Sequence, residues 1–221
     1  MSELLDCIEL ETAPNAQSSV IWMHGLGADG NDFVPVVEEL DLPDAPIRFI
    51  FPHAPMQAVT VNNGYVMRSW YDVLSNDFAK RTDADGVRES QALVEALIAR
   101  EKARGVAASR IVLAGFSQGG AMALQTGLCH KERLAGVMVL SSYAPIPETL
   151  AQDVSPANRD VPIFMAHGRM DQVIPLFAAQ ASHELLQSLG YKLEWHEYAM
   201  AHSVCIEEIE HIGEWLRKVL A

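Results

Sequence analysis

The sequence predicts an α/β protein built on a doubly wound, mostly parallel sheet, and three observations predict it. Short, nearly continuous apolar runs recur along the chain, as strands buried on both faces require. Segments with apolar residues at helical spacing lie between those runs. Gly105, Pro175 and Gly190 stand where one kind of segment gives way to the next.

In chain order, the apolar runs are 19–23, 47–51, 111–114, 136–140 and 162–166, each read as a central parallel strand. Val94, Leu97 and Ile98 make one face of a helix that stops at Gly105. A second helix-like run follows residue 117. Ala178, Ala181, Leu185 and Leu189 mark another, with Pro175 as its first residue and Gly190 at its end. Residues 191–198 alternate more strongly, which suggests a strand nearer the sheet edge, and Ile209, Ile212, Leu216 and Val219 form the core stripe of a final helix. Right-handed crossovers between parallel strands then place reactive groups beyond the carboxyl ends of the strands. The 221 residues contain no linker-like stretch and no internal repeat, so one domain covering 1–221 is expected.

Composition narrows the partners. With 16 Lys and Arg against 29 Asp and Glu, the net charge of −13 argues against nucleic acid and against an anionic membrane surface. The N-terminus, Met1-Ser2-Glu3-Leu4-Leu5-Asp6-Cys7, carries acid where a secretory leader carries base, and no apolar run reaches membrane-spanning length. A cytoplasmic protein without stable membrane anchoring is the expectation; oligomeric state stays open, a homodimer included. Cys7, Cys129 and Cys205 are odd in number and lack C-x-x-C spacing, so they are read as buried small hydrophobes, with neither a disulfide framework nor a metal site expected.

The strongest local signal is Gly115-Phe116-Ser117-Gln118-Gly119, a G-x-S-x-G turn between a strand-like and a helix-like run. Bare, that motif is as often a plain glycine turn; its flanks make it a nucleophile elbow, in which a tight strand-to-helix turn pushes the serine hydroxyl out of the sheet. Serine is a poor nucleophile unless a histidine base and an orienting carboxylate accompany it. Asp171 lies just past the strand ending at 166, whereas Asp160 lies at the wrong end of that strand. His202 lies in the loop beyond the last strand, whereas His196 is inside the strand and His211 inside the final helix. Ser117, Asp171 and His202 therefore follow the chain order of an α/β-hydrolase. Singly, an Asp before a helix is more often a cap and a histidine more often structural; their joint placement carries the reading.

An acyl-transfer site also needs oxyanion donors. The amide of Gln118 supplies one and that of Leu26, in the glycine-rich loop His24-Gly25-Leu26-Gly27-Ala28-Asp29-Gly30, the other, with His24 and Asp29 in structural roles. Gly25, Gly27 and Gly30 match dinucleotide-loop spacing. That reading is disfavoured because Phe51-Pro52-His53-Ala54-Pro55 stands where the ribose-binding acid belongs. About twenty residues separate the strands ending at 140 and starting at 162, too few for a large cap. Trp70, Tyr71, Met170, Val173 and Phe177 are candidates for an apolar acyl site, each also a candidate for core packing.

Taken together, His24-Gly25-Leu26-Gly27, Trp70-Tyr71-Asp72, the elbow, His167-Gly168-Arg169-Met170-Asp171 and His202-Ser203-Val204-Cys205 resemble the small bacterial carboxylesterases of the phospholipase/carboxylesterase family, related to acyl-protein thioesterases and lysophospholipases. The likeness spans nearly the whole chain. It implies a cofactor-free serine carboxylesterase with Ser117, Asp171 and His202 as triad, acting on small-molecule esters or acyl thioesters. Ala58-Val59-Thr60 and Ser142-Tyr143-Ala144-Pro145 depart from the usual pattern, which bears on pocket shape rather than chemistry. A hydrolase fold serving only as a binding protein, and an attack from Cys205 or Asp171 in place of Ser117, are the alternatives; both are disfavoured by the intact elbow.

Overall fold

The computed structural model describes residues 4–42, 46–78 and 81–221; Met1, Ser2 and Glu3 of the acidic N-terminal stretch lie outside them. Strands β1 (Cys7–Glu11), β2 (Ser18–Met23) and β3 (Ile47–Pro52) come first. A separate two-stranded hairpin, β4 (Met56–Val59) and β5 (Tyr65–Arg68), follows. The chain then alternates through α1 (Ala84–Ala103), β6 (Ile111–Phe116), α2 (Gln118–Cys129), β7 (Gly136–Leu140), α3 (Pro147–Asp153), β8 (Ile163–Gly168), α4 (Leu176–Ser188), β9 (Leu193–Tyr198) and α5 (Ile206–Val219). The main sheet has seven strands in the order β1-β3-β2-β6-β7-β8-β9, parallel throughout except for β1 against β3. This is an α/β-hydrolase fold without a large cap: only α3 and a 3-10 turn, Pro156–Asn158, occupy the β7–β8 connection.

Side-chain alternation splits the core in two. Ile21, Met23, Leu113, Val137 and Met165 point to the face covered by Val94, Leu97 and Ile98 of α1, by α2 and by α4. Val20, Trp22, Val112, Met138 and Phe164 point to the other face, under Ile212, Trp215 and Leu216 of α5 and a 3-10 turn, Val34–Leu40. With both faces covered, β2, β6, β7 and β8 are apolar nearly end to end, which is the pattern that identified them.

Three details differ from the sequence reading. Pro175 caps α4 with extended ψ (142°) instead of opening it. β9 starts at Leu193, because the Tyr191 amide is committed to the Leu186 carbonyl (3.0 Å) where the chain leaves α4 through Gly190, φ 89°. The cysteines are free but half-buried, since each stands at an element end: Cys7 opens β1, Cys129 closes α2 and Cys205 precedes α5. Among the described residues no helix is long and apolar enough to cross a membrane.

Candidate active site

The elbow forms where β6 meets α2. Ser117 takes φ 56° and ψ −121°, a conformation costly for a residue with a side chain, on the order of 1–3 kcal/mol. Its neighbours permit nothing bulkier. A Cβ on Gly115 would stand 2.1 Å from the Gly119 carbonyl oxygen, and one on Gly119 would stand 2.2 Å from that of Met23. The Ser117 amide donates to the Leu140 carbonyl (2.8 Å), so the strained turn is held against β7.

Two further loops converge on it. The Arg169 amide donates to Tyr198 O (2.8 Å) and the Met170 amide to Met200 O (3.0 Å), which extends the β8–β9 pairing past the strand ends. That zipper sets His202 beside both Asp171 and Ser117. His202 Nδ1 lies 2.6 Å from Asp171 Oδ2, and Nε2 lies 3.0 Å from Ser117 Oγ. The other Asp171 oxygen accepts from the amides of Val173 and Ile174, both at 2.8 Å. Burial alone would raise the Asp171 pKa. The His202 hydrogen bond and the two amides outweigh it and hold the carboxyl below its ordinary value, so it remains an anion facing the imidazole. Phe116 packs its ring 4.7 Å from that of His202.

His167 is a support that the sequence reading left without a role. It is fully buried, and its Nε2–H donates to the Ile174 carbonyl (2.7 Å), clamping the loop whose amides grip Asp171. Burial depresses its pKa, which keeps the ring neutral. His24 and Asp29 are structural, as expected. His24 accepts the Ala54 amide at Nε2 (3.1 Å), its pKa likewise lowered by burial, and Asp29 accepts from the Asn31 amide (2.7 Å).

Above the serine is a cleft of about 220 Å³ that Leu26, Gln118, Ser117 and His202 all border. Gln118 opens α2, so its amide has no carbonyl within the helix to bond. Its side chain turns away, accepting the Trp70 amide (2.8 Å) and donating to the Tyr71 carbonyl (2.7 Å). The Leu26 loop is pinned on either side: Gly27 donates to the Arg68 carbonyl (2.9 Å) and Ala28 to that of Gly25 (3.2 Å). Among the described residues the Leu26 amide has no protein acceptor.

Of the five apolar candidates, Tyr71 and Val173 border the cleft. Trp70 does not: it is buried, and its indole N–H donates to the His24 carbonyl (2.9 Å), which commits the ring to the core. Met170 and Phe177 are exposed outside the cleft, Phe177 against the edge of the Phe78 ring (5.9 Å between centroids). Tyr143, Ile174, Arg81 and Asp32 border it instead. Tyr143 lies in the segment after β7 whose unusual letters pointed to pocket shape; the others carry no sequence pattern that marks them. Among the described residues no group of three or more His, Cys, Asp or Glu is placed to hold a metal ion.

Comparison with known proteins agrees with the fold. The profile of the phospholipase/carboxylesterase family matches residues 8–220. Acyl-protein thioesterase 1 of Gibberella zeae is 38% identical over 217 residues, covering 92% of this chain and 91% of the relative. That of Yarrowia lipolytica is 39% identical over 208 residues, with 91% of each covered. Among solved structures, Arabidopsis thaliana SOBER1 superimposes with a TM-score of 0.88 at 31% identity over 93% of this chain and 100% of its own. Zea mays acyl-protein thioesterase 2 gives 0.84 at 25% identity, with 98% and 99% covered. These curated relatives are fungal acyl-protein thioesterases, where the sequence reading looked to bacterial carboxylesterases.

Proposed function

This chain belongs to the phospholipase/carboxylesterase family of ester and thioester hydrolases, and from that premise we propose that it hydrolyses acyl esters and acyl thioesters through an acyl-enzyme on Ser117. The supporting observation is the unbroken relay from Asp171 through His202 to Ser117, with hydrogen bonds of 2.6 and 3.0 Å. His202 Nε2 takes the hydroxyl proton as Oγ attacks the carbonyl carbon, and Asp171 holds the other nitrogen protonated and stabilises the imidazolium. The amides of Leu26 and Gln118 receive the oxyanion. His202 then gives its proton to the departing alcohol or thiol. It next draws one from water, whose oxygen attacks the acyl carbon; the bond to Ser117 Oγ then breaks, His202 returns the proton to Oγ, and the acid leaves.

The names of the relatives, all at 36–39% identity, favour acyl thioesters over a generic ester substrate. A cleft of about 220 Å³ is below the roughly 300–1,000 Å³ typical of drug-sized ligands, which favours short acyl groups over a whole lysophospholipid tail. The test is turnover of S-acyl and O-acyl substrates of increasing chain length by wild type and Ser117→Ala, with a fluorophosphonate as covalent label. Activity and labelling are expected to vanish together in the variant. Turnover that persists without the hydroxyl excludes Ser117 as nucleophile.

A further inference from the structure

The cleft is bordered by a cation that acyl transfer as described above does not use. Arg81 borders it beside Tyr71, Tyr143, Val173 and Ile174. The guanidinium lies 4.7 Å from the Phe78 ring centre and 6.0 Å from that of Tyr143, so it rests on an aromatic shelf. Its Nε is buried with no hydrogen-bond partner, and no carboxylate among the described residues is within ion-pair distance of it. The nearest side chains on that wall are neutral: the phenols of Tyr71 and Tyr143 meet each other at 3.2 Å, and burial raises the Tyr71 pKa far above its usual value, so it stays protonated. The cleft's own carboxylate, Asp32, belongs to the loop after β2, as do Leu26 and Ala28.

A half-buried guanidinium stacked on rings, with its Nε buried and unpartnered and no carboxylate to pair with, keeps donors that an anion entering the cleft would satisfy. We propose, on the basis of the hydrolase reading above, that Arg81 is a specificity-determining residue for substrates bearing a carboxylate at a distance from the scissile carbonyl. The guanidinium fork suits a carboxylate, and the phenol pair beside it offers a hydroxyl to the same anion. Asp32, the carboxylate that also borders the cleft, disfavours an anion placed beside it. The carboxylate can belong to the acyl half, as in a half-ester of a dicarboxylic acid, or to the leaving half, as in an acylated hydroxy acid.

Two matched pairs separate these sources: monoethyl glutarate against ethyl butyrate, and 3-butyryloxypropanoate against propyl butyrate. Each is measured with wild type, Arg81→Met and Arg81→Lys. In wild type, the charged member of one pair is expected to exceed its neutral partner in kcat/KM. That ratio should fall about tenfold in Arg81→Met, chiefly through KM, the size of one lost charge-assisted hydrogen bond. It should recover in part in Arg81→Lys and shrink as salt is raised. A merely structural role for Arg81 would move both members of a pair together. Absence of any charged-ester preference in wild type, or its survival in Arg81→Met, overturns the proposal while leaving the hydrolase reading intact. Failure of all four esters together with failure of a fluorophosphonate to label wild type overturns that reading and this proposal with it.

Discussion

Asp171 divides its two oxygens between different tasks, and the division makes a sharp prediction. Oδ1 is occupied by the amides of Val173 and Ile174, while Oδ2 faces His202 Nδ1. In Asp171→Asn, the amide carbonyl must take the position between the two backbone donors, which leaves its NH2 facing Nδ1. A donor there forces Nδ1 to accept, so the imidazole proton moves to Nε2, and Nε2 can no longer receive the proton of Ser117. The expected loss in kcat is about 10⁴, as for the same change in other serine hydrolase triads, with little change in thermal midpoint because both amides stay satisfied. Steady-state kinetics and a melting curve check both halves; a loss under tenfold would refute the tautomer argument. The grouping of Ser117, Asp171 and His202 was legible in the sequence because each follows the carboxyl end of a strand, β6 and β8 recognisable by their apolar runs and β9 by its alternation. The pocket was legible only in part, in Tyr71 and Val173, because aromatic identity does not say which way a ring turns. Trp70 and Tyr71 are neighbours, yet the first hydrogen-bonds into the core and the second borders the cleft. Arg81 lies in a stretch without periodicity, paired with the segment before it by the Leu74 amide, which donates to the Arg81 carbonyl (2.8 Å), and by the bridge between Val73 and Thr82.

The first turn of α5, directly after the His202 loop, contains an unusual group. Glu208 is completely buried, and neither carboxyl oxygen makes a hydrogen bond of good geometry. Burial pushes its pKa up to about 8, against a weaker downward pull from the Cys205 amide. The ordinary value is 4.5, so between the two the folded protein binds a proton that the unfolded chain has released. Stability therefore falls as pH rises from about 4.5 to about 8 and then levels. Glu208→Gln keeps the shape and removes the titration. Its unfolding free energy should match wild type near pH 5 and exceed it by a few kcal/mol near pH 9, read from urea midpoints at the two pH values. A difference that is constant with pH would contradict the burial of an ionisable carboxyl. Sequence periodicity revealed α5 through its apolar stripe but not this carboxyl, because a glutamate in a first helical turn normally faces water and favours the helix dipole. Other elements escaped for related reasons. β1 is an antiparallel edge strand whose alternation Cys7-Ile8-Glu9-Leu10-Glu11 leaves one face to solvent, and the hairpin of β4 and β5 exposes Met56, Tyr65 and Val66, so neither presents a continuous apolar run. The inner strands were recognisable because covering both faces leaves almost no polar position.

At the scale of the whole molecule, the two ends of the sheet do different work. Ser117, Asp171 and His202 lie past the carboxyl ends of β6, β8 and β9. The amino ends of β2 and β3 instead meet the last turns of α1 in a buried ionic network. Glu101, fully buried, accepts from Ser19 Oγ at 2.8 Å and from Arg48 at 2.7 Å, and Arg48 also holds Glu11 at 2.8 Å. Burial raises the Glu101 pKa, and the hydrogen bonds from Arg48 and Ser19 overcome it, so the carboxyl stays ionised and below its ordinary value. A carboxyl held in that way stabilises the fold above the unfolded pKa, and the benefit fades as pH falls through the folded one. Removing Arg48 leaves a buried anion short of its closest cation. Arg48→Met is therefore expected to cost about 3 kcal/mol at pH 7, with the deficit shrinking as pH falls and Glu101, no longer held ionised by Arg48, takes up a proton. Because Ser19 and Arg48 stand in register at the strand ends farthest from the elbow, kcat below the melting range should stay within about twofold of wild type. Denaturant unfolding at pH 7 and pH 4, beside ester kinetics on the same variant, separates the two effects. A fall in kcat at unchanged stability would mean that the amino edge is coupled to the catalytic loops, and would break the division of labour between the two ends of the sheet.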